Sequence, residues 1–365
     1  MRPVCRTTDL QRLPVCAHKE YHRDTYRHGE DNNVTAAPYT VRTEEEDGYP
    51  VYVLEDPVAR AQAWVVPALG FNAYRFSVEP DEHEIGIIDP PPTLAELRAR
   101  PSFYGTPLLF PFPGRVRGGR FTFGSRPYEL QTRQSGSHAI HGFVYNRPWE
   151  VIASGPSARD GAVVVGRFES QSFPELATQY PSAFRLEVAY RLRTWTLTVE
   201  ARAQNVGSEP LPVGYGLHPY FHVPLNHGPS IGGCVIEVPV TRRWELTSDL
   251  LPTGRTLPVE EDLAVGVSLE GRSFDTVYTG VLRSQDGSRC VLADTHARLA
   301  VVVEADPQFR EWVVFTPPRP AVSFEPYTCV PNALNLQAEG IDAGLIVLQP
   351  GEARTWTMKV TVRRL

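Results

Sequence analysis

The chain has 365 residues, of which 42% are hydrophobic and 21% charged, a balance that excludes wholesale disorder. No stretch approaches the roughly 18 consecutive apolar residues of a membrane-spanning helix. The 34 Pro and 28 Gly disfavour an all-helical fold, because each Pro removes a backbone donor and clashes with the preceding turn. The net charge of −6, with acidic residues interspersed throughout, argues against a nucleic-acid binder, which needs a basic patch.

Lys19 and Lys359 are the two lysines, so 34 of the 36 basic residues are arginines. That bias reads as GC-rich coding rather than as a functional arginine surface. Cys5, Cys16, Cys234, Cys290 and Cys329 are odd in number, widely spaced and lack a CxxC. They argue against a disulfide framework or structural zinc and fit a reducing compartment.

Residues 1–45 have no apolar periodicity, end in the acidic run Glu44-Glu45-Glu46-Asp47, and lack the apolar core of a secretory signal. They read as an extension outside the fold, either disordered or translated from upstream of the true start. Together with the cysteine usage, the missing signal leads to the expectation of a cytoplasmic protein.

From residue 46 to 365 a single domain is expected. Its dominant period is two. Leu186, Val188, Tyr190 and Leu192 alternate with polar residues, and Trp195, Leu197, Val199 and Ala201 do so in the opposite phase, which predicts two strands joined by a tight hairpin near Arg193-Thr194. Trp356, Met358, Val360 and Val362 predict a closing strand. Similar runs occur at 51–54, 63–66, 163–168, 299–304 and 312–315, separated by Pro, Gly, Asp and Asn clusters. Short helices are expected only at 93–100 and 174–179. The fold class is therefore all-β: one large, mainly antiparallel β-sandwich with few short helices.

The usual nucleotide, zincin and serine-hydrolase signatures are absent. What remains is a set of polar residues among aromatic and apolar ones: Arg115, His138 and His141, His218 and His222, Asp275 and Glu325. The two histidine pairs have metal-like spacing, but on strands or loops that spacing does not converge on one ion, so no metal is expected. Glu325, between Phe324 and Pro326, should be desolvated with a raised pKa. That suits a general base, and equally a buried Glu paired with an arginine.

Taken together these segments resemble the aldose 1-epimerase (mutarotase) family. The resemblance rests on FPGRV (112–116), GGRFTFGSRPYEL (118–130), HAIHGFVYNRPWEV (138–151), GYGLHPYFHVP (214–224), RSFDTVYTG (272–280) and EWVVFTPPRPAVSFEPYT (311–328). It implies a galactose-mutarotase-like supersandwich that interconverts the α and β anomers of an aldohexose, a small-molecule sugar, without a cofactor. It further implies Glu325 as general base, His218 as general acid, His141 as a hydrogen-bonding residue near the ring oxygen, and Arg115 and Asp275 as ligands of sugar hydroxyls.

The chain departs from galactose mutarotases at Gly114, where they usually have Asn, at Phe143 in place of a second Gly, and at His222 in place of Asn. These changes leave the acid and base intact and alter the sugar-contacting surroundings. The alternatives are a hexose-6-phosphate mutarotase, with Arg117, Arg120 or Arg147 at the site mouth, a non-catalytic carbohydrate-binding protein on the same fold, and a glycosidase using Asp275 and Glu325.

Overall fold

The computed structural model describes residues 38–132, 137–225 and 230–365. Residues 1–37 of the proposed extension, with Cys5 and Cys16, lie outside them. Thr40–Glu46, at the end of that extension, forms an edge strand antiparallel to Tyr49–Asp56.

Two large antiparallel sheets make the sandwich. The first has thirteen strands among the described residues. It begins as a meander of Thr40–Glu46, Tyr49–Asp56, Ala61–Val66, Asn72–Val78 and Ile85–Ile88. It continues through Tyr220–His222 to Ala321–Tyr327, Glu311–Phe315, Asp275–Val281, Val240–Leu246 and Pro252–Pro258, and the short strands Gly216–Leu217 and Leu108–Leu109 branch from Ala321–Tyr327. The second sheet has nine strands among the described residues. Glu150–Ser157, Gly161–Glu169, Phe184–Arg193 and Thr196–Asn205 lie on one side of Ala353–Arg364, and Leu299–Ala305, Ser288–Asp294, Cys234–Glu237 and Val267–Ser268 on the other.

The period-two reading explains how they pack. Leu186, Val188, Tyr190 and Leu192, the facing Leu197, Val199 and Ala201, and Trp356, Met358, Val360 and Val362 are all buried in one core with Leu54, Ala63 and Phe76 of the first sheet. Trp356 stacks on Tyr215 at 5.2 Å, and its truncation to Ala would cost about 3–5 kcal/mol in lost contact and residual cavity. The outer face of the second sheet carries cross-strand pairs, Arg167 with Glu187 at 2.8 Å, Arg185 with Glu169 at 2.6 Å and Arg191 with Glu200 at 3.1 Å. Several of the many arginines are thus solvated sheet surface.

The hairpin falls where expected, with Arg193 paired to Thr196. Trp195 differs from the reading: it occupies the turn, and its Nε1 donates to the Ala59 carbonyl at 2.7 Å. The Thr194 N–H donates to Asp56 Oδ2 at 2.8 Å, so a turn of the first sheet clamps this hairpin of the second. Leu94–Ala99 is an α-helix capped by Thr93, whose Oγ1 accepts from the Glu96 N–H at 3.1 Å. Pro174–Thr178 forms a tighter 3-10 turn. A second α-helix, Ala333–Ala338, has no counterpart in the sequence reading. Among the described residues no helix is long and apolar enough to cross a membrane.

Candidate active site

The centre of the first sheet forms the floor of a cavity of about 170 Å³. Its register determines which side chains reach that floor. Asp275 pairs with Phe315 and Phe315 with Ser323; Val277 pairs with Val313 and Val313 with Glu325. Side chains alternate along each strand, so these residues share one face, while Val322 and Phe324 point the other way into the sandwich core. Leu246 and Leu250, Ser102 and Phe103, the segments 114–115 and 140–141, and Pro331 build the walls.

On that floor His218 Nε2 lies 3.2 Å from Glu325 Oε1, with the two side chains 7% and 3% exposed. The Tyr327 hydroxyl donates to the other carboxylate oxygen of Glu325. Burial drives the Glu325 carboxyl well above its ordinary range; the Tyr327 hydrogen bond pulls it back, the Asp275 charge adds to the rise and Arg115 opposes it. The partners of Glu325 are thus a histidine and a tyrosine, whereas an arginine was the competing expectation.

His218 is pushed the opposite way, well below its ordinary value, by burial and then by its neighbour His141, with Arg319 adding to the effect. Its ring stacks on Tyr220 at 4.5 Å, and the Arg319 guanidinium lies over the same tyrosine at 4.7 Å. The Tyr220 hydroxyl sits 3.2 Å from His218 Nε2 and 3.0 Å from the Ser102 carbonyl. His218 Nδ1 is 2.9 Å from Ser323 Oγ, which donates to the Pro219 carbonyl at 2.8 Å.

His141 reaches the cavity from an unusual backbone, with φ 65° followed by Gly142 at φ 74°. It is held by a reciprocal pair of bonds to Gly114: the His141 N–H donates to the Gly114 carbonyl at 2.9 Å, and the Gly114 N–H donates to His141 Nδ1 at 3.3 Å. Gly114 itself has φ 66°, and a Cβ there would meet the Pro331 ring at 2.6 Å. An Asn at this position is incompatible with the local packing, which accounts for the departure noted in the sequence. Asp275, exposed on one side and walled on the other, has its carboxyl pushed up by partial desolvation against the pull of Arg115.

All five residues singled out from the sequence, Arg115, His141, His218, Asp275 and Glu325, line this one cavity. The other histidine of each pair does not. His138 Nε2 bonds Asp249 Oδ2 at 2.8 Å, and His222, at the end of the Tyr220–His222 strand, has its Nδ1 3.6 Å from Asp89 Oδ1. Ser323 and Tyr327 went unread, although the period-two signal was present: Ser323, Glu325 and Tyr327 alternate with Val322, Phe324 and Pro326. Leu250 and Phe103 carry no sequence signal, because turns bring them in.

This architecture is the galactose-mutarotase-like supersandwich. A family model described as aldose 1-epimerase matches residues 77–361, and the chain belongs to that family. It is 26% identical over 251 residues to the uncharacterised protein YihR of Escherichia coli strain K12, covering 67% of this chain and 75% of that protein. It is 27% identical over 265 residues to YphB of the same organism, covering 70% and 83%. The solved structure of a galactose mutarotase-like protein from Clostridium acetobutylicum matches its fold with a TM-score of 0.81 at 21% identity, covering 89% of this chain and 98% of that one.

Proposed function

We propose that the protein is an isomerase that interconverts the α and β anomers of an unphosphorylated aldose by general acid–base ring opening and reclosure. The observation that carries this reading is the buried His218–Glu325 pair, 3.2 Å apart on a cavity that also presents Arg115, His141 and Asp275. Glu325 takes the proton from the anomeric hydroxyl as the C1–O5 bond breaks, and His218 delivers a proton to O5. The resulting aldehyde rotates about C1–C2, and the same two transfers in reverse close the ring on either face. Each group supplies roughly 10²–10⁴-fold. Arg115 and His141 offer donors and Asp275 an acceptor to the sugar hydroxyls. The scheme needs no cofactor, and a reducing cytoplasmic setting is supported by the free Cys234, Cys290 and Cys329.

The preference for an unphosphorylated sugar rests on the cations. Arg115 is the one arginine or lysine among the described residues lining the cavity, and it faces Asp275 there. Arg117, Arg120 and Arg147 lie outside that lining and bond Glu339 at 2.6 Å, Glu129 at 3.2 Å and Glu175 at 3.1 Å. A glycosidase reading pairs Glu325 with Asp275, but Glu325 Oε1 lies 3.2 Å from His218 Nε2 and its other oxygen accepts from Tyr327.

Polarimetry or NMR of freshly dissolved α-glucose and α-galactose tests the proposal. Acceleration of anomer exchange is expected, abolished by Glu325→Gln and strongly reduced by His218→Ala. Sugar binding without acceleration for any aldose would make the chain a binding protein, and acceleration surviving Glu325→Gln would sink the base assignment.

A further inference from the structure

Two histidines face the same cavity, and hydrogen-bond inventory distinguishes what each ring nitrogen does. A serine hydroxyl has one proton. That of Ser323 points to the Pro219 carbonyl, an acceptor only, at 2.8 Å. Ser323 Oγ, 2.9 Å from His218 Nδ1, therefore presents a lone pair to the ring. The contact is a hydrogen bond only if His218 carries a proton on Nδ1. The Tyr220 hydroxyl likewise spends its one proton on the Ser102 carbonyl and presents a lone pair to Nε2 at the longer distance of 3.2 Å, a contact that is a hydrogen bond only while the transferred proton sits on Nε2. The reverse holds at His141: its Nδ1 accepts from the Gly114 N–H, so its neutral ring carries the proton on Nε2.

We infer that Ser323 is a positioning residue that keeps the His218 proton on Nδ1, so that Nε2 alone takes and gives the transferred proton, while the Gly114 N–H sets His141 in the opposite tautomer as a fixed Nε2–H donor. This role rests on the ring-opening reading of the site.

The proton balance then closes around Nε2. With one proton on the pair, it resides either on Glu325, with Oε1–H donating to a bare Nε2, or on Nε2, beside an ionised carboxylate. Ring opening starts from the second form. Nε2 gives its proton to O5, Glu325 receives one from O1, and the pair ends in the first form with the aldehyde in place. Reclosure restores the starting form. His218 Nδ1–H is spectator throughout, and in both forms the Ser323, Pro219 and Nδ1 bonds are unchanged. A neutral Nε2–H ring would break the cycle, since after giving up its proton it would be an imidazolate. The neighbouring strand arrangement makes the assignment structural: Tyr220 pairs with Ser323 in register, which carries the His218-Pro219 segment over the hydroxyl.

The experiment is a 15N NMR titration of the imidazole nitrogens of the full chain, with His218→Gln and His141→Gln spectra for assignment, alongside anomer-exchange kinetics. Neutral His218 is expected to retain Nδ1–H with bare Nε2, and neutral His141 to show the reverse. Ser323→Ala should mix the His218 tautomers and lower kcat by at least about tenfold, bounded by the 10²–10⁴-fold that a general acid supplies, with KM within about twofold. Ser323→Thr, which restores the hydroxyl, should recover both. Neutral His218 protonated on Nε2 in the wild type would overturn the inference even if Ser323→Ala fails to fold, and so would a pure Nδ1–H ring in Ser323→Ala. A wild type that leaves anomer exchange unaccelerated would instead refute the ring-opening reading, while the spectra still decide the tautomers.

Discussion

His218 Nε2 and Glu325 Oε1 face each other at 3.2 Å on the floor of the cavity, and burial pushes the carboxyl up and the imidazole down. The pair therefore holds one proton over a wide pH range and titrates as a unit. Adding a second proton means charging His218 beside a neutral Glu325, which is displaced to low pH. Removing the last one means ionising Glu325 beside a neutral His218, which is displaced to high pH. The kcat/KM profile for anomer exchange is expected to be flat through the neutral range, with its acid limb below the ordinary histidine value near 6.5. A single rise centred at 6–7 would contradict the coupled pair.

The left-handed backbone at Gly142 is what delivers His141. A Cβ at Gly142 would be driven into the Phe110 carbonyl, which also accepts from the Phe143 N–H at 2.7 Å. Gly142→Ala is expected to destabilise the fold by at least about 2 kcal/mol and to lower activity of the folded fraction, read by chemical denaturation and by kinetics at a temperature where the variant is folded.

A different contact holds the lid-like turn at residues 247–251. Its Leu250, at φ 63°, lines the cavity with Leu246, and Asp249 is tied to His138, whose Nδ1 accepts from the Gly118 N–H at 3.0 Å. Asp249→Ala releases the turn without touching the reacting groups. KM should rise roughly three- to tenfold with kcat within about twofold, the pattern of lost uniform binding. An unchanged KM would mean that the turn keeps its place without this bond.

Glu311 is a buried acid that the proposed chemistry does not use. It accepts from Trp244 Nε1 at 3.0 Å, and burial raises its pKa from 4.5 to about 7. Between those values the folded chain retains a proton that the unfolded chain releases, so stability from this group is full below about pH 4.5 and declines as pH rises through 7. The loss is on the order of 3 kcal/mol. Glu311→Gln, which keeps the acceptor and lacks the charge, should flatten the wild-type decline in urea midpoint between pH 5 and 8 and be the more stable protein at pH 8.

The sandwich was legible because a half-buried strand displays its buried face at every second residue. Leu186–Leu192, Leu197–Ala201 and Trp356–Val362 do so without interruption. The same rule separates Ser323, Glu325 and Tyr327 from Val322, Phe324 and Pro326, but there both faces are interior, one toward the core and one toward the cavity, so polar residues mark the site rather than solvent. The resemblance named the five charged and histidine residues by order and flanks. The walls were hidden for a physical reason: Leu250, Phe103 and Pro331 arrive on turns whose approach depends on the tertiary path. Gly114 is the converse case, since the sequence shows the missing Asn and only the packed Pro331 ring explains it.

The position of the last long strand has a consequence for how the chain is made. Ala353–Arg364 is the seam of the second sheet, pairing Thr196–Asn205 on one side and Leu299–Ala305 on the other. On the ribosome, both flanking strands emerge long before their shared partner, and each waits as an open edge with its ladder unsatisfied. The sandwich can only be zipped shut once Ala353–Arg364 has itself emerged. A chain cut short by a dozen residues keeps every group proposed for the chemistry and loses the piece that joins the two halves beneath them.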